Sequence, residues 1–292
     1  MVLTQLSTSL ATQKKLANSM AHFVHYKYHL AAKNVRNLCL SLILMLLVLP
    51  TQVQPAQAPI IAAASDLQFA LTDIAALFQS QTGQSVKLSF GSSGNFARQI
   101  RQGAPFDIYF SADESYVLKL FRDGLTRDPG TLYGTGRVVI FAPHNSTLRV
   151  DGSLDGLRRL LTTDQVTRFA IANPEHAPYG RRALELLRHY GLWGEIAQHL
   201  VIGENISQAA QFATSASTQG GIIAYSLALS PKVSTLGSYA LIPEKSHSIL
   251  RQRMVLLNDA GPVAEQFYAF VQRNDVRAIL RQYGFTLPSS NN

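Results

Sequence analysis

From Pro59 onward, short apolar runs alternate with segments whose apolar residues recur every three or four positions. The run Ile60-Ile61-Ala62-Ala63-Ala64 reads as a buried strand. After it, Leu67, Ala70, Leu71, Ile74, Leu77 and Phe78 fall at helical spacing, and Gly83 stops the helix. Ser85–Phe90 alternates like a strand, Phe96, Ala97 and Ile100 mark a helix ending near Gly103, and Phe106–Phe110 is again strand-like. A helix around Val117–Phe121 and a strand over Arg137–Ala142 follow. The second half repeats the alternation, with strands at Phe169–Ala172, Val201-Ile202 and Gly221–Ala224 and helices over Gly180–Tyr190 and Asn205–Ser215. A long strand near Ser248–Leu257 precedes two closing helices, Val263–Gln272 and Val276–Tyr283. Strand–helix alternation of this density predicts an α/β protein with largely parallel sheets. No repeat or low-complexity linker interrupts it, which points to two lobes joined by crossing strands, with Val138–Ala142 and Leu250–Leu256 as the hinges.

Charge changes the picture only at the amino terminus. Of the formal net charge of +8, residues 1–58 contribute +5 from Lys14, Lys15, Lys27, Lys33 and Arg36 without a single acid. The remaining chain is close to neutral, and 15% charged residues is well below the usual ~25%, so a nucleic-acid partner is not indicated. Leu38–Leu49 is an apolar run too short to cross a bilayer, which takes about 20 residues. Behind a cationic stretch and ahead of Ala56-Gln57-Ala58, it reads as a secretory signal cleaved after Ala58; an uncleaved anchor is the competing reading. The single cysteine, Cys39, lies in this run, so the mature chain has no disulfide, thiol nucleophile or cysteine metal site.

Candidate chemistry collects at the strand-to-helix turns. Ser65 follows the first strand, where Ser65-x-x-Gln68 fits a capping box. Ser92-Ser93 follows the second strand, Pro178-Tyr179-Gly180 precedes a long helix, Asn205-Ile206-Ser207 opens another, and Tyr225-Ser226 a fifth. In open α/β sheets ligands bind at the carboxyl ends of strands, and helix N-termini there offer free N–H groups to an anion. Each turn taken alone is as well explained by ordinary capping. Gly91-Ser92-Ser93-Gly94 lacks the Lys of a nucleotide P-loop, and Ser93 does not sit in a Gly-x-Ser-x-Gly elbow. The histidines His144, His176, His189, His199 and His247 show no metal-ligand spacing. Asp113 reads as a helix cap.

Several segments together carry a family resemblance: Ala62–Leu67, Phe90–Asn95, Ala97–Ile100, Gly103–Asp107, Ser111–Asp113, Asn173–Gly180 and Tyr283–Phe285, in order and spacing. In these the chain resembles the periplasmic molybdate-binding proteins of ABC-type importers, over nearly all of Pro59–Pro288. The resemblance implies a two-lobed type II periplasmic binding protein fold with a central cleft. Residues 1–58 would be the signal peptide, 59–139 plus 250–292 the first lobe and 140–249 the second. It also implies that Ser65 and Ser93 donate to the oxyanion from one lobe and Tyr179 and the backbone of Ile206 from the other. Ser92 is the alternative to Ser93, and Tyr225 a further candidate, displaced by one residue from the position relatives use.

The implied ligand, molybdate or tungstate, is a proton-free dianion that only accepts hydrogen bonds, so a site made of donors suits it. Cavity size would have to exclude sulfate. Asp66, the one acid beside the proposed shell, is expected to point outward at its helix N-terminus; facing the ligand, it would bring phosphate back. The implied protein is a periplasmic, monomeric, non-enzymatic receptor without a cofactor, handing its anion to a membrane permease. The alternatives are a receptor for sulfate, phosphate or ferric iron, and a periplasmic hydrolase using Ser93.

Overall fold

The computed structural model describes residues 57–288, together with positions 15, 18–20, 24–28 and 33. The expected signal peptide, with its apolar run and Cys39, lies almost wholly outside these residues. Two five-stranded sheets organise the rest. The first is built from β1 (Ile60–Ala64), β2 (Lys87–Gly91), β3 (Ile108–Ser111), β4 (Thr131–Gly136) and β10 (Leu250–Leu256), in the order β2-β1-β3-β10-β4. The second holds β5 (Val138–Pro143), β6 (Phe169–Ala172), β7 (Leu200–Gly203), β8 (Gly220–Ala224) and β9 (Gly237–Leu241), in the order β7-β6-β8-β5-β9.

Both sheets are mixed in the same way. β1 runs parallel to β2 and β3, and β10 joins antiparallel between β3 and β4. Likewise β6 runs parallel to β7 and β8, with β5 antiparallel between β8 and β9. The two antiparallel strands are the ones expected as hinges, but each lies wholly within one sheet. The crossings are instead Arg137, the single residue between β4 and β5, and residues 242–249 between β9 and β10. Val138 and Val139 pair with Ala224 and Ile223, so the sheets divide at Arg137, two residues before the sequence-based boundary.

The helices follow from their apolar faces. α1 (Gln68–Thr82) buries Ala70, Leu71, Ile74 and Phe78. It ends where Gly83 takes φ +73° and its N–H bonds the Gln79 carbonyl, a left-handed cap that costs other residues more. Phe78 then stacks edge-to-face on Phe267 and Phe270, at 5.1 and 5.2 Å between ring centroids. Burying a ring of that size is worth about 1.5–3 kcal/mol, and the contact ties the carboxyl-terminal segment to the first sheet.

α2 (Ser93–Arg101), α3 (Glu114–Arg122), α4 (Asp155–Thr162), α5 (Pro178–His189), α6 (Ile206–Ala213), α7 (Pro262–Val271) and α8 (Asn274–Gln282) complete the longer helices. Apolar clusters flank both faces of the first sheet, and a third fills the second.

Because β2 and β3 lie on opposite sides of β1, the chain reverses its winding direction at the carboxyl end of β1. The same happens at β6, between β7 and β8. These topological switch points are where crevices open in such sheets. Ser65 follows the first, and the segment Asn173–Tyr179 the second.

Candidate functional site

The carboxyl ends of β1, β2, β3, β6 and β7 converge on one small, tightly closed cavity. It is lined by Ser65, Asp66, Ser92, Ser93, Tyr179 and Ile206 among others. Four of the five residues singled out from the sequence, Ser65, Ser93, Tyr179 and Ile206, are thereby brought together from turns up to 141 positions apart. The fifth is not. Tyr225 stands outside the cavity wall, its ring 5.7 Å from that of Tyr239, and a Cβ on Gly284 would lie 2.5 Å from it. The short helix it opens, Tyr225–Ala228, reaches the site through its second residue instead: Ser226 Oγ donates to the Asp66 carbonyl at 2.7 Å.

The serines do different work. Ser65 does not close the expected capping box. Its hydroxyl donates to Asn205 Oδ1 (3.1 Å) and accepts from the Ser207 N–H (3.2 Å), while Gln68 Oε1 accepts from Ser207 Oγ (2.8 Å). Both halves of the motif are drawn across to the N-terminus of α6, where Ser65 accepts a first-turn N–H and Gln68 accepts the hydroxyl of the same residue, Ser207. Asn205 itself caps α6, accepting from Gln208 N. Ser93 Oγ accepts from the Ala112 N–H (3.0 Å), and its carbonyl is held by the buried Tyr109 hydroxyl (2.7 Å). A hydroxyl that accepts one bond keeps its proton to give. Tyr179 and Ile206 occupy the first turns of α5 and α6, where backbone N–H groups have no intrahelical acceptor.

Ser92, the alternative to Ser93, also lines the cavity, but its hydroxyl meets His176 Nδ1 at 2.9 Å. His176 Nε2 lies 3.5 Å from Glu204 Oε2, and Glu204 accepts from Asn95 Nδ2. With Gly94 N–H donating to the His176 carbonyl (2.9 Å), this forms a latch between α2, on the first sheet, and the loops of the second. Asp113 adds to it. Oδ1 caps α3 as expected, accepting from Ser115 N, while Oδ2 faces Arg182 at 3.4 Å and Arg181 at 3.9 Å.

Asp66 departs furthest from expectation. It is 1% exposed and lines the cavity instead of pointing to solvent. Oδ2 accepts from Gln252 Nε2 (2.7 Å) and from the Tyr179 hydroxyl (3.0 Å), whereas Oδ1 has no hydrogen-bond partner. Desolvation pushes its pKa from 3.8 up to about 7, outweighing the bonds from Gln252 and Tyr179 that favour the ionised form. Burial, and then the neighbouring Asp66 charge, hold the Tyr179 hydroxyl well above its ordinary range, so it stays protonated.

Gly136 makes this cluster possible. A Cβ there would lie 2.3 Å from Tyr179 Oη and 2.4 Å from Gln252 Nε2. Asp66, Gln252, His176 and Glu204 were not legible as a set, because they lie up to 186 positions apart and carry no shared motif. Among the described residues, no group of three or more His, Cys, Asp or Glu side chains is placed to hold a metal ion.

Residues 60–286 match the family of bacterial extracellular solute-binding proteins. The molybdate-binding protein ModA of Rhodobacter capsulatus is 33% identical over 217 residues, covering 73% of this chain and 82% of its own. ModA of Escherichia coli K12 is 31% identical over 230 residues, covering 77% and 87%. The solved structure of the Azotobacter vinelandii periplasmic molybdate-binding protein superposes with a TM-score of 0.71 at 27% identity, over 79% of this chain and 99% of that one. A match over this span, with both switch points and both mixed sheets included, places the chain in the family of bacterial extracellular solute-binding proteins.

Proposed function

We propose that this chain is the extracytoplasmic receptor of an ABC importer, capturing molybdate or tungstate in the cavity between its two sheets. The observation that carries the reading is the convergence of Ser65, Ser93, Tyr179 and Ile206 on one small cavity in a chain whose relatives at 31–33% identity are molybdate-binding proteins. In this reading the bodies that close on the anion are residues 57–137 with 250–288, and residues 138–241. The leader would be a signal peptide directing the protein to the periplasm, and the receptor acts as a monomer that presents the anion to a membrane permease.

The chemistry is that of a binder. Molybdate offers four oxygens and no proton, so hydroxyls and first-turn N–H groups from both sheets satisfy it by donation alone. Hydrogen bonds to a charged partner contribute about 1.5–3 kcal/mol each. A handful of them offsets the cost of association without an arginine in the wall. Release then follows from separating the sheets, since each holds part of the donor set. The hydrolase alternative rested on Ser93, and the His176 ring bonds Ser92 instead, within the contact that joins the two sheets.

The orientation of Asp66 favours one competing reading, phosphate, because an ionised carboxylate can accept from the O–H of hydrogenphosphate. Thermal unfolding of the protein with molybdate, tungstate, sulfate and phosphate separates them, since a ligand stabilises the state it binds in proportion to RT ln(1 + [L]/Kd). Molybdate and tungstate are expected to raise Tm strongly. Equal stabilisation by sulfate, or a larger shift with phosphate, overturns the assignment.

A further inference from the structure

The cavity wall contains one ionisable carboxylate, Asp66, and no lysine, arginine or histidine. That is an odd wall for a site that takes a dianion, and the surroundings of the carboxylate show how the conflict is resolved. Its Oδ2 is held by two donors, and Oδ1 is buried without one. From α5 it faces the Tyr179 hydroxyl, with the nearby Arg182 turned away to Asp113 and Glu185. From β10 it faces Gln252, whose neighbours Arg251 and Arg253 pair with Glu114.

From β4 comes Tyr133, which donates to Gln252 Oε1 at 2.6 Å and so fixes the amide with its Nε2 toward Asp66. Ser226 reaches only the Asp66 backbone, and α2 and α6 contribute Ser93 and Ile206 to the wall. The titratable groups that face Asp66 are therefore two tyrosines, both kept neutral by burial. No cation stands ready to offset a carboxylate beside a dianion.

Resting on the reading of this cavity as an oxyanion site, we propose that capture of a proton-free dianion is coupled to uptake of one proton by Asp66, which turns the one acceptor in the wall into a donor and makes Asp66 the residue that discriminates between bare and protonated oxyanions. The balance is simple: protein with ionised Asp66, one dianion and one solvent proton give the complex with neutral Asp66, and release returns the proton. Neutral Asp66 supplies a donor by one of two equivalent routes. Either Oδ1 carries the proton toward the anion, or Oδ2 carries it toward Tyr179, which frees the tyrosine O–H to donate.

Without the proton, both carboxylate oxygens and the anion are acceptors, and the Tyr179 proton is drawn to Oδ2. An anion that brings its own proton, such as hydrogenphosphate, has the opposite preference and donates to ionised Asp66. Burial already holds the carboxyl near neutrality, with a pKa of about 7, and a dianion in the same cavity pushes it further the same way.

The test is calorimetric titration of the protein with sodium molybdate at pH 8 in Hepes and in Tris, whose ionisation enthalpies differ. A molybdate series from pH 7 to pH 9 accompanies it. The expected result is uptake of close to one proton per anion, and a Kd that rises about tenfold per pH unit above pH 7.5, as linkage requires for one proton. In Asp66→Asn, the amide nitrogen takes the place of the proton-bearing oxygen, so binding should persist with a flat pH profile and no proton uptake.

Tight molybdate binding by the wild type with a pH-independent Kd and no uptake overturns the proposal while leaving the oxyanion reading standing. An unchanged pH slope in Asp66→Asn does the same. Binding of phosphate without binding of molybdate at any pH overturns both. The wild-type proton count decides the matter even where the variant does not fold.

Discussion

Gly94→Ala tests whether the two sheets must close on the ligand. Gly94 lies in the first turn of α2, and its N–H donates to the His176 carbonyl on the opposite sheet at 2.9 Å. A Cβ added there would sit 2.6 Å from that carbonyl oxygen, 3.0 Å from His176 Cα and 2.8 Å from the Tyr116 hydroxyl. The tyrosine can swing away, but the backbone of residue 176 cannot without moving the loop that carries it.

Relieving the clash therefore costs the latch: the Gly94–His176 bond, the Ser92–His176 bond and the Asn95–Glu204 bond. At about 0.5–1.5 kcal/mol net for each bond, closure loses roughly 1.5–4.5 kcal/mol. Because every 1.4 kcal/mol is tenfold in Kd, anion affinity should fall between about tenfold and a thousandfold. The fold itself should not suffer, since alanine is a better helix former than glycine by about 0.5–1 kcal/mol and within its own lobe the new methyl meets the end of the Tyr116 side chain, which can turn aside.

Calorimetry with molybdate, paired with urea unfolding in the absence of anion, reads both quantities. An affinity within twofold of wild type would refute the claim that this contact belongs to the ligand-bound arrangement. A loss of stability matching the loss of affinity would show damage to the lobe, not to closure.

Three further outcomes are expected. Replacing Ser93 by alanine removes the hydroxyl whose proton is uncommitted and should weaken molybdate binding by about 1.5–3 kcal/mol, the value of one bond to a charged ligand, with far-ultraviolet circular dichroism unchanged; adding Ser65→Ala should deepen the loss, because the bonds of Ser65 to Asn205 and Ser207 across the sheets go with it. Tyr225→Phe should leave Kd unaltered within error, because the side chain lies against Tyr239 and not in the cavity wall. A carboxyl raised from 3.8 to about 7 in the folded state binds more protons than the unfolded chain between those values, so its stabilising effect is present below about pH 4 and lost as pH rises through 7. At about 1.4 kcal/mol per unit the whole loss is on the order of 4 kcal/mol, of which roughly 3 kcal/mol falls between pH 5 and pH 8, so urea unfolding at those two pH values should differ by about that much in the wild type and by less in Asp66→Asn.

Apolar periodicity determined the α/β class and most of the strand–helix order, but not the mixed direction of the sheets, each of which has two parallel and two antiparallel pairings where largely parallel sheets were expected. Runs such as Ile60–Ala64 and Phe169–Ala172 are apolar throughout because parallel strands are covered on both faces, and their short length marks them as strands. The elements that escaped are those whose composition does not announce a strand or whose pairing lies far away. β4, with the sequence TLYGTG, and β9, with GSYAL, are held at sheet edges by β10 and β5 more than by their own residues. The turns were also legible, since Ser65, Ser92-Ser93, Pro178-Tyr179-Gly180 and Asn205-Ile206-Ser207 follow strands whose carboxyl ends open on a crevice, but the choice of residues within them came from the family resemblance.

What only tertiary structure decided is where polar side chains find their partners. Ser65 and Gln68 left a local cap for Ser207 of the other sheet, and Tyr225 turned to Tyr239 while its neighbour Ser226 reached the site. Asp66, expected in solvent, was taken into the wall by Gln252 and Tyr179. Hydrophobic pattern is a property of neighbours along the chain, and a sequence carries it openly. The direction of a carboxylate depends on donors more than a hundred residues away, and those meet only when two separately wound sheets are brought face to face.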